Sequence, residues 1–252
     1  MKKIAIGWML AALAVATCAG CGRGGAGKCL VLGTDAKFPP FEMRAGDDVV
    51  GFDVEIAKAI AAQAGLPLKI EKMEFDRLLP ALADGKVDFV LAALSITEDR
   101  RAQVDFSVPY YKATQVALIL AGGPVPESKE ELKGLRTAAQ AGTTGYAAAE
   151  ELAAPENIRA VASPLAAAVD LMNSRVDVAI LDEQPAMKLA ADHPELYLIR
   201  PEYPEEFYGV AVRKGNTNLL ETINQTLGAL SADGRYDRFV DQWLVGAPES
   251  EE

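Results

Sequence analysis

The chain has 252 residues, 50% apolar and 24% charged, enough to bury one large core or two ordinary ones. With 25 Lys and Arg against 36 Asp and Glu its formal charge is −11, and an acidic chain without a basic run is a poor partner for nucleic acid. One histidine, His193, argues against a His-rich metal centre, and three cysteines (Cys18, Cys21, Cys29) crowded at the amino end leave no disulfide framework across the fold.

The amino terminus reads as an export signal over residues 1–20. Met1 to Lys3 is positive, Ile4 to Ala16 is nearly all apolar, and small Thr17, Ala19 and Gly20 follow. The apolar segment is short for a membrane span. Ala19-Gly20-Cys21 resembles a lipobox, which would make a lipidated Cys21 the mature first residue. Cys18 stands where an aliphatic residue is usual, so plain cleavage stays open as the alternative. Without residues 1–20, Lys plus Arg falls to 23 and the charge becomes 23 − 36 = −13. No later stretch reaches about 18 uninterrupted apolar residues, so the mature chain is expected to work outside the cytoplasm without crossing a membrane. Residues 22–29 (GRGGAGKC) match GxGxxG and the start of a P-loop. A phosphate cradle needs a strand before the glycines and a helix after them. Here a signal precedes and a strand follows, so residues 21–28 read as a flexible tether.

Beyond the tether, strand-like runs appear at Leu30 to Leu32, Leu68 to Ile70, Val87 to Leu94, Gln115 to Leu120, Val176 to Leu181 and Gly209 to Val212. Residues 53–64 carry Val54, Ala57, Ile60, Ala61 and Ala64 on one helical face and end at Gly65. Leu219 to Val240 reads as helix broken in two at Asp233-Gly234, and residues 247–252 as an acidic tail. Strands separated by helices imply α/β with mostly parallel sheets. LLPALADGKVDFVLAAL (78–94) and AAVDLMNSRVDVAILDE (167–183) repeat one helix-to-strand unit, with Lys86-Val87-Asp88 corresponding to Arg175-Val176-Asp177. Two copies suggest two similar lobes. Asp88 and Asp177 could be paired catalytic carboxylates; at strand entries after a tight turn, they read better as local structural groups.

Open α/β sheets bind ligands beyond the carboxyl ends of their strands. Four such places stand out: Gly33 to Phe41, Ser95 to Arg101, Gln140 to Gly145 leading into a helix near Thr144, and Asp182. They offer an Arg, a helix amino end, carboxylates and the rings of Phe38 and Phe75. An Arg fork suits a carboxylate, and a carboxylate at a strand end suits an ammonium. Opposite charges on one small ligand describe an α-amino acid.

GTDAKFPPFE, GFDVEIAKAIA, ALSITEDRRAQVDFSVPYY, QAGTTG, DVAILDE and DGRYDRFVDQW occur in order between Cys29 and Val245. These blocks resemble the bacterial extracellular solute-binding proteins of family 3, receptors of polar amino-acid ABC importers. The resemblance implies a two-lobed periplasmic binding protein fold of type II, each lobe a mostly parallel sheet flanked by helices, joined by two crossover strands. Lobe 1 would comprise residues 28–110 and 208–246, and lobe 2 residues 111–207. It implies that Arg100 of SxTxxR clamps the ligand carboxylate with Ser95 and the Thr143 and Thr144 amides. Asp182 and the Ala93 carbonyl would take the ammonium, Phe38 and Phe75 would sandwich the side chain, and Asp35 would read it, with Gln140 and Leu181 lining the far pocket. Ala93 stands where several relatives carry Ser or Gly, so a hydroxyl contact is lost there.

Asp35 adds a negative group beyond those that cancel the ligand's backbone charges. It favours arginine, lysine, histidine or the amide of glutamine over glutamate and aspartate; alternatively, it only caps the next turn. The expected partners are an amino acid and an inner-membrane permease with its ATPase, with a possible lipid anchor, for a periplasmic monomer without cofactor or metal. Two other readings stay open: a cyclohexadienyl (arogenate or prephenate) dehydratase on the same fold, with Glu183 as the candidate acid, and an amino-acid sensor module.

Overall fold

The computed structural model describes residues 28–125 and 129–245. The expected signal, Cys21, the tether before Lys28 and the acidic tail lie outside the described residues. In chain order the elements are β1 (Leu30–Thr34), β2 (Lys37–Phe38), β3 (Glu42–Ala45), β4 (Asp48–Val50), α1 (Phe52–Gln63), β5 (Leu68–Lys72) and α2 (Leu78–Ala83). There follow β6 (Phe89–Val90), α3 (Glu98–Gln103), β7 (Val104–Phe106), β8 (Tyr111–Ala113), β9 (Gln115–Leu120), α4 (Lys129–Leu132) and β10 (Thr137–Gln140). Next come α5 (Thr144–Leu152), β11 (Ile158–Val161), α6 (Pro164–Met172), β12 (Val178–Asp182), α7 (Glu183–Asp192) and β13 (Leu196–Ile199). The chain closes with β14 (Glu206–Tyr208), β15 (Ala211–Arg213), α8 (Thr217–Ala232) and α9 (Arg235–Trp243).

Two five-stranded sheets have the same plan. Lobe 1 is ordered β5-β1-β6-β15-β7 and lobe 2 β11-β10-β12-β9-β13. The expected predominance of parallel pairing does not hold: each sheet is mixed, with two parallel and two antiparallel pairings. All four antiparallel pairings involve β9 or β15. Each of these strands directly follows a crossover and so runs against both its neighbours. The crossovers themselves are β8 and β14, paired antiparallel with Tyr111 opposite Tyr208.

Side-chain alternation builds the cores. In β9, Val116 and Leu118 face one cluster with Ala167, Leu171 and Leu189, while Ala117 and Ile119 face another. In lobe 1 a helical stripe of Phe52, Ile56 and Ile60 packs with Ile223, Leu227 and Leu230 of α8 over Leu30 and Leu32. Each such fully buried side chain contributes about 1.5–3 kcal/mol. The chain enters α1 through Gly51 at φ 133, where a Cβ would stand 2.2 Å from the Phe41 carbonyl oxygen. The Asp233-Gly234 break expected in the last helical segment falls between α8 and α9, at Gly234 with φ 73.

The two repeated aspartates hold sheets together. Asp88 accepts the Val31 amide of β1 at 2.8 Å, and Asp177 accepts the Arg136 amide beside β10 at 2.9 Å. Asp177 also takes the Arg136 guanidinium, whose hydrogen bond holds the carboxyl below the usual carboxylate range. Both are latches between a strand entry and its neighbour, as the structural reading expects.

Candidate functional site

The carboxyl ends of β1, β6, β10 and β12 meet between the lobes. One cavity, about 220 Å³ of free space, is lined by Phe38, Phe75, Ala93, Ser95, Arg100, Thr144 and Asp182 among others. A second of about 240 Å³ adjoins it, walled by Phe38, Gln140, Thr143, Pro164, Leu181 and Asp182. Asp35 joins them through Gln140, whose Nε2 donates to Asp35 Oδ2 at 2.8 Å. Thus all ten expected positions converge on one cleft.

Arg100 is placed by α3, whose amino end is capped by Thr97 Oγ1 accepting from the Arg100 amide. Its Nη1 donates to the Ser95 carbonyl at 2.7 Å, and its Nη2 crosses to the Gly142 carbonyl of lobe 2 at 2.9 Å. The guanidinium lies 5.5 Å over the Phe75 ring. Burial lowers the Arg100 pKa, and the nearby acids Glu206 and Asp182 oppose that shift. Gly142 takes φ 78 there and packs close to Asp76 of the opposite lobe.

Facing Arg100 is the start of α5. Thr143 caps it, accepting from the Tyr146 amide at 3.1 Å while its hydroxyl donates to the Gln140 carbonyl at 2.7 Å. The Thr143 amide also donates to Gln140, at 3.3 Å, so of the two amides expected to meet a carboxylate this one is already engaged. Thr144 and Gly145 follow in the first turn, at the positive end of the helix dipole.

Asp182 ends β12 and stands at the N-cap of α7 without capping it. Its Oδ1 instead accepts Tyr208 Oη at 2.6 Å and Gln115 Nε2 at 3.0 Å, both inside the cleft wall. Burial raises the carboxyl to about 7, against the pull of those two bonds. At the far end, Asp35 is 2% exposed and is raised to about 6 by burial, with Gln140 and Lys37 opposing. Lys37 stands 3.7 Å from Asp35 and 2.5 Å from Glu74. Gln140 Oε1 is a buried acceptor with no hydrogen-bond donor among the described residues, and Asp35 Oδ1, also without a hydrogen bond there, has the Lys37 ammonium as its ion-pair partner at 3.7 Å.

The site thus has a cationic and amide-rich end, a carboxylate beside it, and paired acceptors at the other end. Among the described residues no cluster of His, Cys, Asp and Glu is disposed to hold a metal ion, and no helix is long and apolar enough to cross a membrane. The model of the bacterial extracellular solute-binding proteins, family 3, matches residues 30–246. The chain belongs to that family. This solute-binding protein is 31% identical over 250 residues to ABC transporter arginine-binding protein 1 of Escherichia coli, covering 97% of this chain and 99% of the relative. It is 32% identical to the L-arginine-binding protein of Pseudomonas aeruginosa, covering 97% of both. Among solved structures it resembles the arginine-, lysine-, histidine-binding protein ArtJ of Geobacillus stearothermophilus, with a TM-score of 0.82 and 32% identity over 88% of this chain and 97% of that one.

Three residues of the interlobe cleft escape sequence reasoning. Gln115 Nε2 bridges Asp182, Thr144 Oγ1 at 3.2 Å and Glu206 Oε1 at 3.4 Å. Glu206 accepts the Thr144 hydroxyl at 2.8 Å. Tyr208 binds Asp182 and bridges to Ser95 of lobe 1. Gln115 comes in through its pairing opposite Asp182, and Glu206 and Tyr208 through the pairing of β14 with β8. The expected strand Val87 to Leu94 is also shorter than its apolar run. It leaves the ladder after Val90, because Ala93 turns to φ 47 and its amide is held by Asp53 Oδ2 at 2.7 Å.

Proposed function

We propose that this chain is the extracytoplasmic receptor of an amino-acid ABC transporter, taking a polar L-amino acid with a cationic or amide side chain between its lobes. Arg100 and the first amides of α5 bind the ligand carboxylate, with Ser95 nearby. Asp182 and the Ala93 carbonyl take the ammonium, and the side chain runs between Phe38 and Phe75 to Asp35, Gln140 and Leu181. The observation that carries the reading is the buried pair of acceptors Asp35 Oδ1 and Gln140 Oε1, one from each lobe, neither holding a hydrogen bond, with Lys37 no nearer to Asp35 Oδ1 than 3.7 Å. Such a pair asks for N–H donors and leaves a ligand carboxylate unpaired. Relatives named for arginine, histidine and glutamine fit that chemistry.

The interlobe bonds Arg100 to Gly142 and Gln140 to Asp35 correspond to the closed state of a hinge between lobes bounded at residues 110–111 and 207–208. Ligand shifts the population toward that state, and the closed receptor, a monomer, docks on a permease with its ATPase at the periplasmic face. Lipidation of Cys21 would tether it there. Glu183, the acid that the dehydratase reading requires, pairs with Arg200 at 2.6 Å and lines a separate cavity beside the crossover strands.

A thermal-shift panel of the twenty amino acids, on refolded protein lacking residues 1–21, tests this. A micromolar ligand at about a thousandfold excess adds about 4 kcal/mol, a rise of several degrees. Shifts confined to arginine, lysine, histidine or glutamine are expected. A flat response to all twenty overturns the reading.

A further inference from the structure

Beneath the cleft, against the first turn of α1, lies a pair of carboxyl groups that ligand contact does not explain. Glu42, the first residue of β3, and Asp53 of α1 are both 0% exposed. The two carboxyls act on each other directly, Asp53 raising Glu42, although neither brings an N–H or a hydroxyl of its own. Asp53 Oδ2 is fully used, accepting the Ala93 amide at 2.7 Å and Tyr110 Oη at 3.0 Å. Asp53 Oδ1 and both Glu42 oxygens are buried and meet no donor among the described residues. Two ionised carboxylates cannot share such a site. A single proton on Glu42, donated to Asp53 Oδ1, removes the repulsion and gives Oδ1 its donor.

The surroundings push the same way. The charged groups facing Glu42 from other elements are Asp53 on α1, Asp35 after β1 and Asp182 at the end of β12, all acids, and each raises its pKa after burial itself. On the Asp53 side stands Tyr110, whose carbonyl in turn accepts Tyr236 Oη of α9 at 2.6 Å. Burial lifts the Tyr110 hydroxyl well above its usual range, so it stays a donor.

Ala93 is the reason this arrangement matters. It is an L-residue at φ 47, a conformation that its neighbours must enforce. The bond from its amide to Asp53 restrains the turn, and Ala93 itself lines the cavity. We propose that Glu42 and Asp53 share one proton, and that this acid–carboxylate pair is a positioning element that aims the Ala93 carbonyl at the ligand ammonium. The second half rests on the amino-acid-receptor reading above; the shared proton does not.

Three measurements on the purified protein test it. Infrared difference spectra at pH 8, wild type minus Glu42→Gln, should show the carbonyl stretch of a protonated carboxylic acid; its absence overturns the shared proton. Amide exchange at Ala93 should quicken about tenfold or more in Asp53→Ala but not in Asp53→Asn, whose carbonyl still accepts and whose amide can donate to Glu42. Equal protection in Asp53→Ala and wild type removes Asp53 as the restraint. Calorimetry with L-arginine should show about tenfold weaker binding for Asp53→Ala, with Asp53→Asn and Glu42→Gln within about threefold of wild type. Wild-type affinity in Asp53→Ala overturns the positioning role. If wild type binds no amino acid, the receptor reading and the carbonyl's role fall together, while infrared and exchange still decide the proton. Should Asp53→Ala fail to fold, the Glu42→Gln spectrum and the Asp53→Asn exchange carry the test.

Discussion

Position 93 in lobe 1 and position 182 in lobe 2 are equivalents, 182 − 93 = 89 residues apart, the offset that also relates Asp88 to Asp177. At the strand entry the two lobes behave alike, each aspartate latching the amide of the adjacent strand. At the strand exit they part. β12 runs on to Asp182 and puts a carboxylate on the cavity wall, whereas β6 stops at Val90 and Ala93 turns there with no polar side chain. A repeated scaffold is alike at its strand entries and differs at the cavity between the lobes, where one lobe has a carboxylate and the other a residue without a polar side chain.

The sharpest way to break this contrast is to truncate both sides. Asp182→Ala and Arg100→Ala should each lose about 2–5 kcal/mol of binding by leaving a ligand charge buried and unpaired. Calorimetry with L-arginine reads both, and a loss below tenfold in either removes that residue from the site. The charged side should also titrate. Burial raises Asp182 from 3.8 to about 7, so affinity for L-arginine should rise about tenfold or more from pH 5 to pH 8 as the carboxylate ionises. Asp182→Asn should flatten that profile. Stability of the unliganded protein runs the other way. Asp182 at about 7 and Asp35 at about 6 contribute fully below pH 3.8 and lose that contribution as pH rises through those values. A pH series of denaturant melts checks the sign.

At the far end, Asp35→Asn should weaken L-arginine about tenfold more than L-glutamine, and the reverse ranking removes charge as the selector. The shared latches should act on folding alone. Asp88→Ala should cost about 1–3 kcal/mol in urea melts by stranding the Val31 amide, with the Kd unchanged. Smallest is Ala93→Gly, which keeps the carbonyl and relieves the left-handed turn. It should gain about 1 kcal/mol of stability and hold affinity within about threefold. A large loss of affinity there would mean that the methyl group, not the carbonyl, matters.

What was legible in the sequence is local. Arg100 after its Ser-x-Thr, Asp182 at a strand end and the helix starting at Thr144 each declare themselves within a few residues, through caps and charge. Glu206 and Tyr208 do not, because β14 is three residues long and carries no periodicity, and Gln115, although it opens the predicted strand β9, shows no sign of its partner across the sheet. Their side-chain hydrogen-bond partners are 26 to 91 residues away in the chain. The apolar run from Val87 to Leu94 overstated β6, since apolarity reports burial and is silent on dihedral angles. The mixed character of the sheets was hidden for a related reason: direction is set by which strand follows a crossover, a property of the path and not of composition.

That path has a consequence for synthesis. Every strand of the lobe 2 sheet lies between Gln115 and Ile199, one continuous stretch. The lobe 1 sheet begins earlier but needs β15 at Ala211–Arg213, which inserts between β6 and β7. α8 and α9, which complete its core, come later still. A chain emerging amino end first can therefore finish its second lobe while its first still has an open slot. The latch at Asp88 can close as soon as its own strand is made, but the aromatic packing of Tyr236 on Phe52 must wait for α9, so lobe 1 is locked after lobe 2.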